Sequence, residues 1–484
     1  MNLKVISRNV GYALLVSALF MFFSIVVSLL NGRDSALASL LISFLITFIV
    51  GIFPFIFVRQ TSVITLKEGY VIIVLSWLLS FVVGMLPYIL WGGPFDVTNA
   101  WFESVSGYTT TGATILERVE DLPKSLLFWR SSTHFIGGLG VVVFLLLIIP
   151  NASPVKMRLM SMELSSLSKS AYAVRANRTV YVFALVYFAL FVLSSASYAL
   201  AGMPVFDAVC HAFSVSASGG FSTRTMSISA FDSFAVEAIT AVFMLLSSIH
   251  FGLIFLVFAT RSFKPLNNPV LKFYLIALVV FSIVSGVSLR VAGVYDNLGR
   301  ALWTGAFHTI STASTTGFAI SDNAAWPMVA NMLLMMLAVM CGCAGSTSGG
   351  VKADRVLVLL KTVGRQTSRT LHPSIVSEVR LGGRSLKEEQ LTPHLLYVAV
   401  YLLILAVSLL LAIGMGLDVQ SAFTGSLSSL GNVGPAIGDI GSMGNYNDVP
   451  SSVKFIFTVD MFLGRIEIYP VFAVVAMMFG PKRR

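Results

Sequence analysis

Four short stretches of this sequence fall into register on a glycine. They read Ser106-Gly-Tyr-Thr-Thr-Thr-Gly112-Ala-Thr, Ser214-Val-Ser-Ala-Ser-Gly-Gly220-Phe-Ser, Ser311-Thr-Ala-Ser-Thr-Thr-Gly317-Phe-Ala and Ser428-Ser-Leu-Gly-Asn-Val-Gly434-Pro-Ala. Each has a serine six residues before the glycine, small residues or Gly/Pro backbone around it, and a long apolar run on either side. Such repetition constrains the fold severely. The copies must be equivalent quarters of one assembly, with the loops meeting on the axis between them.

The apolar runs read as membrane spans. The first, Gly11–Leu30, is long enough to cross a bilayer at about 20 residues. Lys4 and Arg8 precede it as they would in a signal peptide, but no small-x-small cleavage site follows, so a retained span is expected. Further spans are expected at 38–58, 70–91, 125–149, 180–201, 233–260, 269–293, 327–362, 394–416 and 452–479, ten in all. The run 327–362 is too long for one helix and is interrupted by Gly-Cys-Ala-Gly-Ser-Thr-Ser-Gly-Gly at 342–350. Only 11% of residues are charged and 56% are hydrophobic, against about 25% charged for a soluble domain. A large soluble enzyme is thereby excluded.

The net charge of +10 does not imply nucleic acid, because the basic residues fall between apolar runs on alternate sides. That is the positive-inside pattern. Lys156, Arg158, Lys169, Arg175 and Arg178 occupy one loop. Lys352, Arg355, Lys361, Arg365, Arg369, Arg380, Arg384 and Lys387 occupy 352–390, and the chain ends Lys482-Arg483-Arg484. These segments are expected on the cytoplasmic side with both termini, so the glycine loops open outward. The stretches 150–179 and 352–390 are the sizeable polar surfaces there and are expected to dock a regulatory partner. Cys210, Cys341 and Cys343 form neither a disulfide framework nor a zinc spacing. Cys341 and Cys343 read as packing residues of an apolar, helix-like run.

The expected fold is an all-α polytopic membrane protein: two leading helices (1–66), then four repeats of span, re-entrant helix and span, with pseudo-fourfold symmetry. The repeats cover 67–155, 156–262, 263–372 (with the broken second helix) and 373–484. Each re-entrant segment opens with about ten moderately apolar residues, such as Val97–Ser106 and Asp207–Ser216. That length makes a helix of about 15 Å, half a bilayer, tolerated only where it lines a water-filled cavity. Its C-terminal carbonyls are partially negative and favour a cation.

The loop chemistry fits an ion filter of backbone carbonyls. Glycine takes a positive φ at no steric cost, so successive carbonyls can face one axis. Thr110, Thr111 and Thr114, then Ser218 and Ser222, then Thr315 and Thr316 add hydroxyls that hold the loop or face the ion. No carboxylate stands at the glycines, so a hard monovalent cation on neutral oxygens fits best. The bland alternative, small-residue helix packing, explains one loop but not four in register.

These residues resemble the Trk/Ktr/HKT superfamily of potassium transporters, closely its bacterial TrkH/TrkG branch, over nearly the whole chain. The resemblance rests on Phe128-Trp-Arg-Ser-Ser-Thr-His-Phe-Ile-Gly-Gly-Leu-Gly140, on Cys343-Ala-Gly-Ser-Thr-Ser-Gly-Gly-Val-Lys352 with Arg355 after it, and on Phe462-Leu-Gly-Arg-Ile-Glu467. It implies potassium uptake across the bacterial inner membrane through a filter of Thr110-Thr111-Gly112, Ser218-Gly219-Gly220, Thr315-Thr316-Gly317 and Asn432-Val433-Gly434. It implies a homodimer in which each subunit has its own pore. It also implies a cytoplasmic TrkA-type regulatory ring that carries the nucleotide, NAD(H) or ATP/ADP, since this chain has no nucleotide motif. Ser218-Gly219 and Asn432-Val433 depart from a Thr-rich pattern. Gly112, where plant sodium-transporting relatives have serine, favours potassium.

A gate is expected at Gly345, Ser346, Thr347, Ser348, Gly349 and Gly350, with Lys352 and Arg465. Unwound glycines at membrane depth belong in a pore, and the resemblance puts Arg465 beneath the filter against them. A brace of Arg465 on carbonyls is the plainer reading. Glu467, two residues on, is expected to pair elsewhere; Arg130 and Lys352 stand nearer the ends of their spans, where snorkelling is the alternative reading. His211 and His308 fall nine residues before their glycines, where the other repeats have Glu103 and Gly425, and read as packing or polar contacts. His134 and His250 belong to no HExxH or carboxylate cluster, which disfavours an intramembrane enzyme. The transport alternatives are a sodium-permeable or cation-coupled symporter of the same fold. An organic-solute transporter would show two inverted repeats instead of four parallel ones.

Overall fold

The computed structural model describes residues 1–58, 65–140, 176–374, 378–381 and 384–479. Among the described residues, six helices are long and apolar enough to cross a membrane: Leu3–Leu30, Leu37–Phe57, Leu66–Trp91, Val180–Leu200, Pro269–Val291 and Glu388–Gly414. The first and third are more than half buried, while Leu37–Phe57, Pro269–Val291 and Glu388–Gly414 are mostly unburied. The former pair packs inside the bundle and the latter three present most of their surface to lipid.

Between the spans lie four short helices, Val97–Tyr108, Val205–Ala217, Leu298–Ala313 and Val419–Gly431. Asp96, Asn297 and Asp418 cap three of them, each side chain accepting a first-turn amide, which satisfies donors that have no partner within the helix. Close approach of span and short helix depends on missing side chains. A Cβ on Gly286 would stand 2.6 Å from Leu302 Cα, and one on Gly305 would stand 2.6 Å from Gly286 N.

Among the described residues, the helices after the second, third and fourth glycine loops break. Phe234–Ser248 and Phe251–Thr260 meet at 98°, and Ser451–Arg465 and Tyr469–Phe479 meet at 109°. The expected spans 233–260 and 452–479 are bent pairs. Met328–Met340 and Ala353–Leu371 flank the expected interruption, and Lys124–Leu139 ends at Gly140 with φ +83°. Cys341 and Cys343 lie in the break instead of a helix, buried and unbridged. The rest of 125–149 and most of the basic loop 150–179, with Lys156, Arg158, Lys169 and Arg175, fall outside the described residues, as do Lys482, Arg483 and Arg484.

The leading pair is tied to the repeats at both ends. Ser28 Oγ donates to Asp34 Oδ1 at 2.6 Å, and Ser125 N donates to Asp34 Oδ2 at 3.1 Å. At the other end Asn2 N donates to Glu68 Oε1 at 2.7 Å. One small antiparallel hairpin, Val379–Leu381 with Arg384–Leu386, qualifies the all-α expectation within the basic stretch 352–390.

Candidate ion-conducting site

Each short helix ends in the same way. The residue two before the glycine takes a left-handed conformation: Thr110 at φ +54°, Ser218 at +52°, Thr315 at +59° and Asn432 at +54°. The next amide turns back to the carbonyl of the repeated serine. Thr111 N reaches Ser106 O at 2.9 Å, Gly219 N reaches Ser214 O at 2.8 Å, Thr316 N reaches Ser311 O at 2.9 Å, and Val433 N reaches Ser428 O at 2.9 Å. This is a Schellman cap, in which one left-handed residue stops the helix and occupies its last carbonyls. The glycine then supplies a second left-handed turn, with φ of +82°, +80°, +77° and +94° along the chain.

The repeated serine has a second use. Ser106 Oγ donates to Ala113 O, Ser214 Oγ to Phe221 O and Ser311 Oγ to Phe318 O, each at 2.6 Å. In the fourth repeat Pro435 follows the glycine, and Tyr446 closes the loop by donating its hydroxyl to Gly434 O at 2.8 Å.

The loops form a closed ring. A Cβ on Gly112 would lie 2.2 Å from Gly219 O, and one on Gly220 would lie 2.0 Å from Thr316 O. One on Gly317 would lie 2.3 Å from Val433 O, and one on Gly434 would lie 2.4 Å from Thr111 O. Each glycine thus packs on the carbonyl preceding the next repeat's glycine, and the fourth returns to the first. All four glycines line one cavity of about 60 Å³. Among the described residues no group of three or more His, Cys, Asp or Glu is placed to hold a metal. The ring offers an ion neutral oxygens.

The expected loop hydroxyls hold the backbone. Thr111 Oγ1 lies 2.8 Å from Thr109 Oγ1 and accepts from Asn432 Nδ2 at 3.1 Å, and Thr316 Oγ1 lies 2.8 Å from Ser314 Oγ. Thr114 Oγ1 donates to Glu103, and Ser222 Oγ meets His211 Nε2 at 2.9 Å.

On the helix side of the ring, the loop 341–352 presses against the same left-handed residues. Ser218 Oγ donates to Thr347 Oγ1 at 2.6 Å, and Gly349 N donates to Thr315 Oγ1 at 3.2 Å. A Cβ on Gly349 would meet Asn432 Oδ1 at 2.7 Å. The breaks of the other repeats converge here. Cys343 N bonds Ser248 O at 2.9 Å and Phe251 N bonds Gly345 O at 2.9 Å. Arg465 donates to Thr347 O at 2.6 Å and to Gly137 O and Gly138 O at 2.6 and 3.0 Å. The two readings of Arg465 are therefore compatible: it is braced by carbonyls and it lies against the loop.

Charged neighbours complete the level. Glu467 pairs with Lys352 at 3.1 Å and Arg355 at 2.7 Å, as expected of a carboxylate turned away from Arg465. Lys352 therefore does not snorkel, since its side chain is 12% exposed and held by Glu467. Arg130 does not snorkel either: it is buried and paired with Glu103 at 2.5 Å. Ser346, Thr347, Ser348, Lys352, Arg465 and Glu467 line a cavity of about 110 Å³ on this side. On the far side, outside the spans, burial alone would raise the Glu120 carboxyl. Hydrogen bonds from the Thr225 hydroxyl and amide and the charge of Arg224 leave it below its ordinary range.

Sequence reasoning missed two things: the left-handed residues two before each glycine, and the helix ends at Gly140, 249–250 and 466–468. Asn432 was the available signal for the first, because asparagine tolerates the left-handed region. Gly137-Gly138-Leu139-Gly140 and Gly464 were signals for the second.

The TrkH family profile, described as cation transport protein, matches residues 38–482. The chain is 33% identical over 483 residues to the Trk system potassium uptake protein TrkH of Salmonella typhimurium, covering 99% of each. It is 31% identical to the Trk system potassium uptake protein TrkG of Escherichia coli K12, again over 99% of each. It superposes on the crystal structure of the potassium transporter TrkH from Vibrio parahaemolyticus with a TM-score of 0.89 and 31% identity, covering 99% of this chain and 100% of that one.

Proposed function

This chain belongs to the TrkH family of cation transport proteins, and on that premise we propose that it takes up potassium across the bacterial cytoplasmic membrane through the glycine ring. The observation that carries the proposal is the closed circuit of glycine against carbonyl, Gly112–Gly219, Gly220–Thr316, Gly317–Val433 and Gly434–Thr111. Neutral oxygens around one axis replace part of an ion's hydration shell, and four helix C-termini add negative potential there. The names of the relatives, potassium uptake proteins, agree with that chemistry.

In this reading Thr110 to Gly112, Ser218 to Gly220, Thr315 to Gly317 and Asn432 to Gly434 form the filter. Residues 345–350 with Lys352 and Arg465 form the gate. The basic stretches face the cytoplasm with both termini, the protein is a homodimer, and a TrkA-type nucleotide-binding partner moves the gate. The test is growth of a potassium-uptake-deficient bacterium on limiting potassium, with rubidium uptake measured in the same cells. Restored growth with saturable uptake is expected. Protein present in the membrane at normal level without either would sink the proposal.

A further inference from the structure

Behind the ring, in the first three repeats, the residue nine positions before the glycine bonds to the segment just after it. Glu103 accepts from Thr114 Oγ1 at 3.0 Å and from Ile115 N at 3.2 Å. His211 Nε2 lies 2.9 Å from Ser222 Oγ, and His308 Nε2 accepts from Ile320 N at 3.4 Å. Thr114 and Ser222 each stand two residues after their glycine, and Ile115 and Ile320 three after. In the fourth repeat the position is Gly425 and the Phe457 ring fills the space, 2.7 Å from where a Cβ would be. Three polar side chains thus act at one place in the repeat, and in the fourth repeat a ring from another helix fills it.

The first strut alone is charged. Glu103 is 0% exposed and Arg130 2%. Arg130 reaches beyond its own repeat, donating through Nη1 to Ser222 O at 3.0 Å and lying 3.4 Å over the Phe221 ring. His134 stacks on Phe221 at 4.0 Å. One ion pair therefore grips the segments after both Gly112 and Gly220. Burying two charges is costly, and a well-packed apolar pair of similar volume serves stability equally well or better. Apolar residues do not supply short, directional bonds to two backbones at once.

We propose that Glu103 and Arg130 are specificity-determining positioning residues: together they set the spacing between the first and second quarters of the ring, and so the fit of its oxygens to an ion. This rests on the filter reading above. Arg130 also lines the cavity of the ring, and both residues act through the backbones they hold.

The test measures potassium, rubidium and sodium uptake by the full-length protein in liposomes. Three variants are compared: Glu103→Gln, Thr114→Val and Gly112→Ser. Glu103→Gln removes the charge. Thr114→Val keeps the ion pair and deletes one link, so it spares folding if Glu103→Gln does not. The expected loss of potassium-over-sodium discrimination is about tenfold for Glu103→Gln, the size of one charged hydrogen bond. A smaller loss in the same direction is expected for Thr114→Val. A purely structural pair would lower the amount of folded protein and leave the ratio untouched. A wild-type ratio in folded Thr114→Val and, where it folds, Glu103→Gln, with Gly112→Ser impaired, would overturn the strut and spare the filter. Wild-type ratios in all three would overturn both.

Discussion

At the scale of the residue, the ring glycines are fixed by two independent constraints. Gly112 combines φ +82° with a neighbouring carbonyl 2.2 Å from its absent Cβ, and Gly317 combines φ +77° with contacts at 2.3 and 2.7 Å. Serine at either position must move a neighbouring backbone, so potassium-over-sodium discrimination should fall in both variants. Unchanged relative fluxes of the two ions in both would refute the filter assignment. The repeated serines make a second prediction. Ser311→Ala leaves the buried Phe318 carbonyl without its donor, which should cost about 1–3 kcal/mol, read as a lowered unfolding temperature in detergent. Ser428→Ala should cost less, because Tyr446 closes that loop. The glycines and serines were legible in the sequence because one residue type recurs at fixed spacing. The left-handed positions two before the glycines were not, since Thr, Ser, Thr and Asn share no side-chain signature there. The pairing of Arg130 was not legible because its partner Glu103 lies on another helix, and one-dimensional pattern carries no such contact.

At the scale of the element, the loop 341–352 touches three of the four ring segments and is bonded to Arg465 through Thr347. Its glycines permit close seating, and Gly350 at φ +66° stands against Cys341. Arg465→Ala removes three bonds to carbonyls and a positive charge from a poorly solvated place, where electrostatics act more strongly than in water. Basal potassium flux in liposomes without any partner should rise. Folded protein with wild-type or lower flux would remove Arg465 from the gate. This interruption was readable because a run of glycine and serine stands out in an apolar segment. The sharp bends at 249–250 and 466–468 were not readable. Glu467 and Ile468 are left-handed at φ +62° and +59° without being glycine, so tertiary contacts impose that turn and not local preference. Lys352 and Arg355 on Glu467 are among those contacts.

At the scale of the whole molecule, the ten expected spans resolve into six long helices, two bent pairs, one span split by the loop 341–352, and Lys124–Leu139. The apolar segments were legible from hydropathy alone, whereas their shape depends on packing around the ring. The helix Ala353–Leu371 runs from the loop into the basic stretch, and near its end Arg365 and Arg369 approach Glu388 at 3.6 and 3.9 Å. Its first residues join it to the loop, since Arg355 donates to Val351 O and, with Lys352, pairs with Glu467. Neutralising Arg365 and Arg369 with Lys156 and Arg158 should weaken capture of a TrkA-type partner while leaving membrane topology intact. Undiminished capture with intact topology would rule out the docking role. The circuit of glycines closes within a single polypeptide, and this has a genetic consequence. In a pore assembled from four identical subunits, one codon change strikes every quarter at once. Here it strikes one. Each quarter is free to drift from its siblings, as Asn432, Pro435 and Gly425 already have, and lesions arrive in single doses. Serine placed in turn at the four ring glycines should therefore give four distinct, graded selectivities instead of one uniform collapse.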